Sequence, residues 1–334
     1  MPLSRRAGYQ RPQPPRRLAR WGVAVTVVIS ALFGLPVSAR MQSLPVVLVG
    51  AGDIAACDSS GDEATAALLD AIDGTVFTLG DNVYNSGTRR EFAECYDPTW
   101  GRHKGRTRPA PGNHDYGTAK ASGYFGYFGE AAGDPGTGYY AYDLGAWHIV
   151  VINSNCEPAG GCQAGSPQEA WLRADLAAHP VDCTLAYWHH PRFSSGPHGG
   201  TDEMRAIWQA LYEQGADVVL AGHDHDYERF APQDPDGNGD PQRGIREFVV
   251  GTGGRSHYRF GRIQPNSEAR SSDTFGVLKL TLSAADYAWE FIPVDGKTFT
   301  DAGSAACSPA SVADATSAKA PMGTRGLPAN FTLR

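Results

Sequence analysis

The sequence predicts an α/β layered domain, on three observations. From Pro45 onward short apolar runs alternate with amphipathic stretches, the pattern of strands and helices packed in layers. Several apolar runs end directly in polar clusters, as strands do where a ligand crevice opens beyond their carboxyl ends. The last two apolar runs are joined only by Ser-Ala-Ala-Asp, so part of the sheet is expected as an antiparallel hairpin.

In chain order the predicted strands are 45–51 (PVVLVGA), 75–79 (TVFTL), 147–153 (WHIVVIN), 183–188 (CTLAYW), 216–221 (ADVVLA), 247–251 (EFVVG), 276–282 (GVLKLTL) and 287–294 (YAWEFIPV). Helices are predicted over 62–72, 89–96, 167–178 and 202–214, with Ser166-Pro167 and Thr201 in start positions. Proline suits the first helical turn because its missing N–H has no partner there. The glycine- and aromatic-rich stretch 116–145 reads as an ordered loop region near the site, most of its tyrosines serving the core.

Residues 1–39 stand apart. An arginine-rich start, the apolar run Trp21–Pro36 and the small residues Val37–Ala39 have the layout of a secretory signal cut after Ala39; a membrane anchor is the alternative, against which the run is shorter than the roughly 20 apolar residues of a spanning helix. Arg16-Arg17 lies just before the run, where a twin-arginine export signal has its pair. Removing the six arginines of this segment leaves 23 basic against 36 acidic side chains, a net charge of −13. That balance argues against nucleic acid as a partner, since phosphate backbones are held by Lys and Arg; no stable membrane association is expected once the signal is cleaved. Six cysteines in an exported chain favour disulfides, and the expected one is Cys156–Cys162 around a Gly-rich loop. The catalytic domain is expected over 40–300 and a disordered Ala/Ser/Pro-rich tail over 301–334, Cys307 excepted if a disulfide ties it.

The polar clusters carry the chemistry. They deliver Asp53; Asp81, Asn82 and Tyr84; Asn113, His114 and Asp115; His189 and His190; and His223 and His225. Five clusters at strand ends imply one shared site. Asp, Asn, His and Tyr without a thiolate suit iron, zinc or manganese, and so many donors are too many for one ion, so two are inferred. Alternation along an extended strand end would point His223 and His225 the same way and Asp224 elsewhere, letting each histidine serve a different ion.

Taken together, Gly52-Asp53, Gly80-Asp81-Asn82-Val83-Tyr84, Gly112-Asn113-His114-Asp115, His189-His190-Pro191 and Gly222-His223-Asp224-His225 resemble the calcineurin-like metallophosphoesterases. Tyr84 and the sequence Tyr227-Glu228-Arg229 resemble the purple acid phosphatase branch in particular. Much of the superfamily has Asp-x-His at the first cluster; here Asp53-Ile54-Ala55 stands instead, and the tyrosine of the purple branch would replace that histidine. The resemblance implies a four-layer α-β-β-α sandwich with mixed β-sheets, here single-domain because little chain lies between Ala39 and Pro45. It implies one ion, ferric, on Asp53, Asp81, Tyr84 and His225. A divalent ion (zinc, iron or manganese) would sit on Asp81, Asn113, His189 and His223, with Asp81 bridging. His190 is the alternative to His189, which stands two residues before the proline as the family ligand does.

Such ions, set against Asp53, Asp81 and an ionised Tyr84, leave about two positive charges to hold a phosphate in an acidic protein. The expectation is a secreted enzyme that hydrolyses small phosphate monoesters by in-line attack of a metal-bound hydroxide, active on the acid side. His114 and His198 are the candidates to meet substrate and leaving group. A phosphodiesterase or nucleotidase on the same metals is the enzymatic alternative, and a non-catalytic phosphate- or metal-binding protein the alternative of another class. His257 is not expected to line the cleft, and His148 reads as structural. Residues 234–240 (DPDGNGD) read as an Asp/Gly turn rather than a calcium loop, because position 245 is isoleucine.

Overall fold

The computed structural model of the chain describes residues 12–13 and 44–308. The predicted export signal (apart from 12–13) and most of the tail lie outside the described residues. In chain order the elements are β1 (Val46–Ala51), β2 (Ala55–Ala56), α1 (Gly61–Asp70), β3 (Thr75–Leu79), β4 (Val83–Tyr84), α2 (Arg89–Glu91), β5 (Thr107–Ala110), α3 (Ser122–Phe128), β6 (Tyr140–Leu144), β7 (Trp147–Val151), α4 (Pro167–Ala178), β8 (Cys183–Tyr187) and α5 (Arg205–Glu213). They are followed by β9 (Val218–Ala221), β10 (Tyr227–Phe230), β11 (Arg246–Val250), β12 (Ser267–Ser271), β13 (Gly276–Leu282), β14 (Asp286–Pro293) and β15 (Ala302–Ala306).

Two mixed sheets result. The first has the order β15-β14-β13-β1-β3-β5, and the second β12-β10-β11-β9-β8-β7-β6. In the first, β1, β3 and β5 run parallel and the expected hairpin β13–β14 is antiparallel. In the second, β7, β8, β9 and β11 are parallel. Residues two apart on a strand share a face, and the strands use both faces. Ile149, Val151, Leu185, Tyr187, Val218 and Leu220 meet Leu48, Phe77 and Leu79 of the first sheet in one core. Val150, Ile152, Ala186, Trp188 and Val219 instead meet Leu172 and Leu176 of α4 and Ile207, Trp208 and Leu211 of α5. On the other side α1 packs Ala66 and Leu69 into the core of the first sheet. This is the expected α-β-β-α sandwich, and burial of both faces is why the strands read as unbroken apolar runs.

Helix starts follow their capping residues. The Ser166 hydroxyl accepts from Glu169 N above Pro167, and Thr88 with Glu91 forms a reciprocal capping box, each closing backbone donors that a helix start leaves open. Three expectations are corrected. The stretch 116–145 is not all loop: it holds α3 and β6, because Gly123 allows α3 to approach closely enough that a Cβ there would fall 1.9 Å from Gly87 O. The predicted helix 202–214 begins as a tighter turn over Asp202–Met204 before α5. Regular structure also passes the expected boundary at residue 300, since β15 pairs with β14 and Cys307 is bonded to Cys183. Cys156 pairs with Cys162 as expected, and Cys57 pairs with Cys95. No described helix is long and apolar enough to cross a membrane.

Candidate metal centre

Five parallel strands, three from one sheet and two from the other, end at the same edge of the sandwich. β1 leads into Asp53, β3 into Asp81 and Tyr84, β5 into Asn113 and His114, β8 into His189, and β9 into His223 and His225. Backbone hydrogen bonds stitch these ends together, with Asp53 N donating to Gly80 O at 3.1 Å and Gly222 N to His189 O at 2.9 Å. Asp53, Asp81 and His223 adopt left-handed φ values of 61°, 47° and 71°, a conformation that costs a residue with a Cβ about 1–3 kcal/mol and collects at functional sites. His223 is therefore not part of an extended strand, which corrects the expected alternation. The two imidazoles still reach different partners, through a turn rather than a pleat.

The side chains form two groups that share Asp81. In the first, Tyr84 Oη lies 2.8 Å from Asp53 Oδ1, 2.9 Å from Asp81 Oδ2 and 3.1 Å from His225 Nε2. In the second, His189 Nε2 lies 3.0 Å from Asn113 Oδ1, 3.2 Å from His223 Nδ1 and 3.4 Å from Asp81 Oδ1. Asp81 thus turns one carboxylate oxygen to each group. Neighbouring donor atoms on one ion at about 2.1 Å are themselves about 3 Å apart, the spacing around Tyr84 Oη and around His189 Nε2; of the carboxylate and imidazole atoms alone, those of Asp53, Asp81 and His189 and those of His189, His190 and His223 lie within 4.8 Å of one another. The imidazoles are oriented from behind: His189 Nδ1 donates to Leu79 O at 2.7 Å, and His225 Nδ1 is held by Ser256 Oγ at 2.7 Å. Each Nε2 is then left to face inward, as outer partners of metal histidines leave it.

The charges point the same way. Burial holds the Tyr84 hydroxyl well above its ordinary range, and the carboxylates of Asp53 and Asp81 push it further up. Burial opposes the charge on Asp81, yet His189 and His114 outweigh it and hold its carboxyl below the usual range. For His189 burial works downward, but Asp81 raises it to about 9. Burial and the neighbouring His189, His190 and His198 bring His223 down to about 2. Buried carboxylates, a buried phenol and an imidazole kept neutral make a donor set that a cation would balance.

The remaining predicted residues lie around this core. His190 is bonded through Nδ1 to Ser154 Oγ at 2.9 Å, its ring 4.5 Å from that of His223. His114 donates its backbone N–H to Asp81 Oδ1 at 2.8 Å; its Nδ1 is 2.6 Å from Asn85 O and its ring 4.4 Å from Tyr84. The exposed His198 ring lies 4.4 Å from His223, its loop anchored by His198 N to Asp224 Oδ1 at 3.0 Å. His257 packs on Phe275, and His148 is held between Asp143 and Asp175. Asp234 caps its own turn by accepting from Asp236 N and Asn238 N.

Sequence reasoning missed a sixth strand end. The segment after β11 wraps the Tyr84 side of the centre: Arg255 N donates to Asp53 O at 3.0 Å, Ser256 holds His225, and the Tyr258 ring stacks on His225 at 4.0 Å. Asp115, to which the sequence assigns no role, has a buried Oδ2 that accepts from Gly112 N and Asn82 Nδ2 at 2.8 and 2.9 Å and fixes the loop that carries Asn113.

Fold and site together define a phosphoesterase class, and residues 47–227 match the calcineurin-like phosphoesterase family, to which the chain belongs. Among curated relatives, Purple acid phosphatase 21 of Arabidopsis thaliana is 34% identical over 166 residues, 45% of this chain and 36% of that protein. Purple acid phosphatase 18 of the same plant is 29% identical over 131 residues, 37% of this chain and 29% of that protein. The chain thus spans about a third of the length of these relatives. A purple acid phosphatase from yellow lupin (Lupinus luteus) seeds shares the fold, with a TM-score of 0.57 at 20% identity over 79% of this chain and 54% of that one.

Proposed function

We propose that the chain is a secreted, dinuclear metal-dependent phosphatase of purple acid phosphatase type that hydrolyses small phosphate monoesters. One observation carries the reading: Asp81 faces Tyr84 with one oxygen and His189 with the other, at 2.9 and 3.4 Å, so one carboxylate joins two donor sets. Asp53, Asp81, Tyr84 and His225 would hold a ferric ion; Asp81, Asn113, His189 and His223 would hold a divalent one. Bound there, such ions supply Lewis acidity toward a phosphoryl oxygen and acidify water.

The chain's own residues do the rest. Ser256 and Leu79 O fix the imidazole orientations, and His114 and His198 flank the centre from the Tyr84 and His223 sides. His114, with Nδ1 engaged by Asn85 O, delivers a proton from Nε2 to the leaving alkoxide. Export is supported by the sequence of residues 1–39 and by three disulfides.

The test is hydrolysis of an aryl phosphate and a bis-aryl phosphate by metal-loaded protein across pH. Faster monoester turnover on the acid side supports the reading. Faster diester turnover would make the chain a phosphodiesterase, and metal uptake without turnover of either ester would leave a binding protein.

A further inference from the structure

An anionic substrate must approach an acidic protein, of formal net charge −7 for the full sequence and −13 without residues 1–39, so any positive side chain at the mouth matters. Among the described residues one guanidinium lies against a candidate ligand. Arg255 Cζ is 5.2 Å from the centre of the Tyr84 ring. The residue is fixed at its base, where its N–H donates to Asp53 O at 3.0 Å, and is loosely held at its tip. Nη1 meets Asp58 Oδ1 at 3.1 Å and Nη2 meets Asn85 Oδ1 at 3.3 Å.

Two features distinguish this arginine from a packing residue. Its ionic partner Asp58 is 77% exposed while Arg255 itself is 25% exposed, and an ion pair of that kind contributes about 0–1 kcal/mol. The guanidinium can leave it at little cost. Asn85 also links it to His114: the amide oxygen accepts from Arg255 and the backbone carbonyl engages His114 Nδ1 at 2.6 Å. Arg255, Asn85 and His114 therefore form one rim along the Tyr84 side of the centre.

We propose that Arg255 is a substrate-binding residue that exchanges Asp58 for the phosphate of the substrate and selects phosphate monoester dianions over diesters. The inference rests on the phosphatase reading above and names the substrate class of that site. A guanidinium fork makes two parallel charge-assisted hydrogen bonds to a pair of phosphate oxygens. A monoester dianion keeps three non-bridging oxygens to share between the centre and this fork. A diester has one fewer, less charge, and a second ester group to fit against the same rim.

The experiment uses full-length metal-loaded protein and three variants, Arg255→Gln, Arg255→Lys and Asp58→Asn. Inorganic phosphate binding is measured by calorimetry, and kcat and KM on an aryl phosphate and a bis-aryl phosphate; metal content confirms that each centre is loaded. Arg255→Gln should weaken phosphate at least about tenfold, raise KM for the monoester more than it lowers kcat, and cut the monoester-to-diester ratio of kcat/KM by a similar factor. Arg255→Lys should fall between. Asp58→Asn should tighten phosphate by about two- to fivefold, within the worth of a surface pair, because it frees the guanidinium; a purely structural pair would not change affinity in opposite directions from its two ends. Phosphate affinity within twofold of the parent in Arg255→Gln, or weaker binding in Asp58→Asn, overturns the inference. Were Arg255→Gln to fail to fold, Asp58→Asn alone decides. A parent that binds metals but neither binds phosphate nor hydrolyses either ester sinks the functional reading itself, an outcome the variants cannot produce.

Discussion

Tyr84 Oη lies 2.8 Å from Asp53 Oδ1. A phenol at this position, buried and also 2.9 Å from Asp81, stays protonated among carboxylates unless a cation of high charge joins it. Substituting Tyr84→Phe should therefore leave the apo fold nearly unchanged, with unfolding free energy within about 1 kcal/mol of the parent, while abolishing any visible charge-transfer band and lowering bound iron. Thermal melts and absorbance spectra of the two proteins check this.

The glycine of the Gly112-Asn113-His114 cluster makes a second prediction. A Cβ on Gly112 would fall 2.1 Å from both Asp81 N and Asp81 Oδ1, so Gly112→Ala must push the shared carboxylate out of place. Both ions should be lost together, with a stability cost of about 3 kcal/mol from overpacking. Elemental analysis should find less than one ion per chain, and loss of one ion alone would mean Asp81 does not bridge.

The disulfide between Cys183 and Cys307 spans 124 residues of sequence and ties the strand at the edge of the first sheet to the start of β8. In the chain-entropy account a loop of that order contributes about 5 kcal/mol. Cys307→Ser should lower unfolding stability by that amount, read as a shifted urea midpoint with metal content preserved.

Two acids away from the centre set a pH dependence. Burial raises Glu247 to about 8 and Asp217 to about 7, although each accepts two backbone N–H bonds. Their folded values lie above the ordinary carboxylate values, so the folded state binds more protons between about pH 4 and 8. Stability of the metal-free protein should fall as pH rises through that window, and Glu247→Gln with Asp217→Asn should flatten the fall. Urea midpoints at pH 5 and pH 8 give the sign.

Much of this was legible in the sequence for a definite reason. Strands such as β7 and β8 bury both faces, so their apolar runs stand out, and the donors follow within a few residues of each run. Elements with weaker patterns escaped. β5 is Thr-Arg-Pro-Ala and β15 is Ala-Gly-Ser-Ala-Ala; neither is apolar enough to be recognised without its partner strand. The left-handed turn at His223 was hidden because local spacing suggests a pleat, whereas Asp53 accepting from His223 N at 2.8 Å selects the turn. Arg255, Ser256 and Tyr258 escape a sequence reading because they touch candidate ligands rather than being candidates themselves, a role that exists only once β11 lies beside β9.

The measurement that tests the central claim most directly is the metal content and visible absorbance of the purified protein beside Tyr84→Phe. The account predicts two ions per chain with iron among them, and a tyrosinate band that disappears in the variant. One ion or none, or a band that survives the loss of Tyr84, would contradict it.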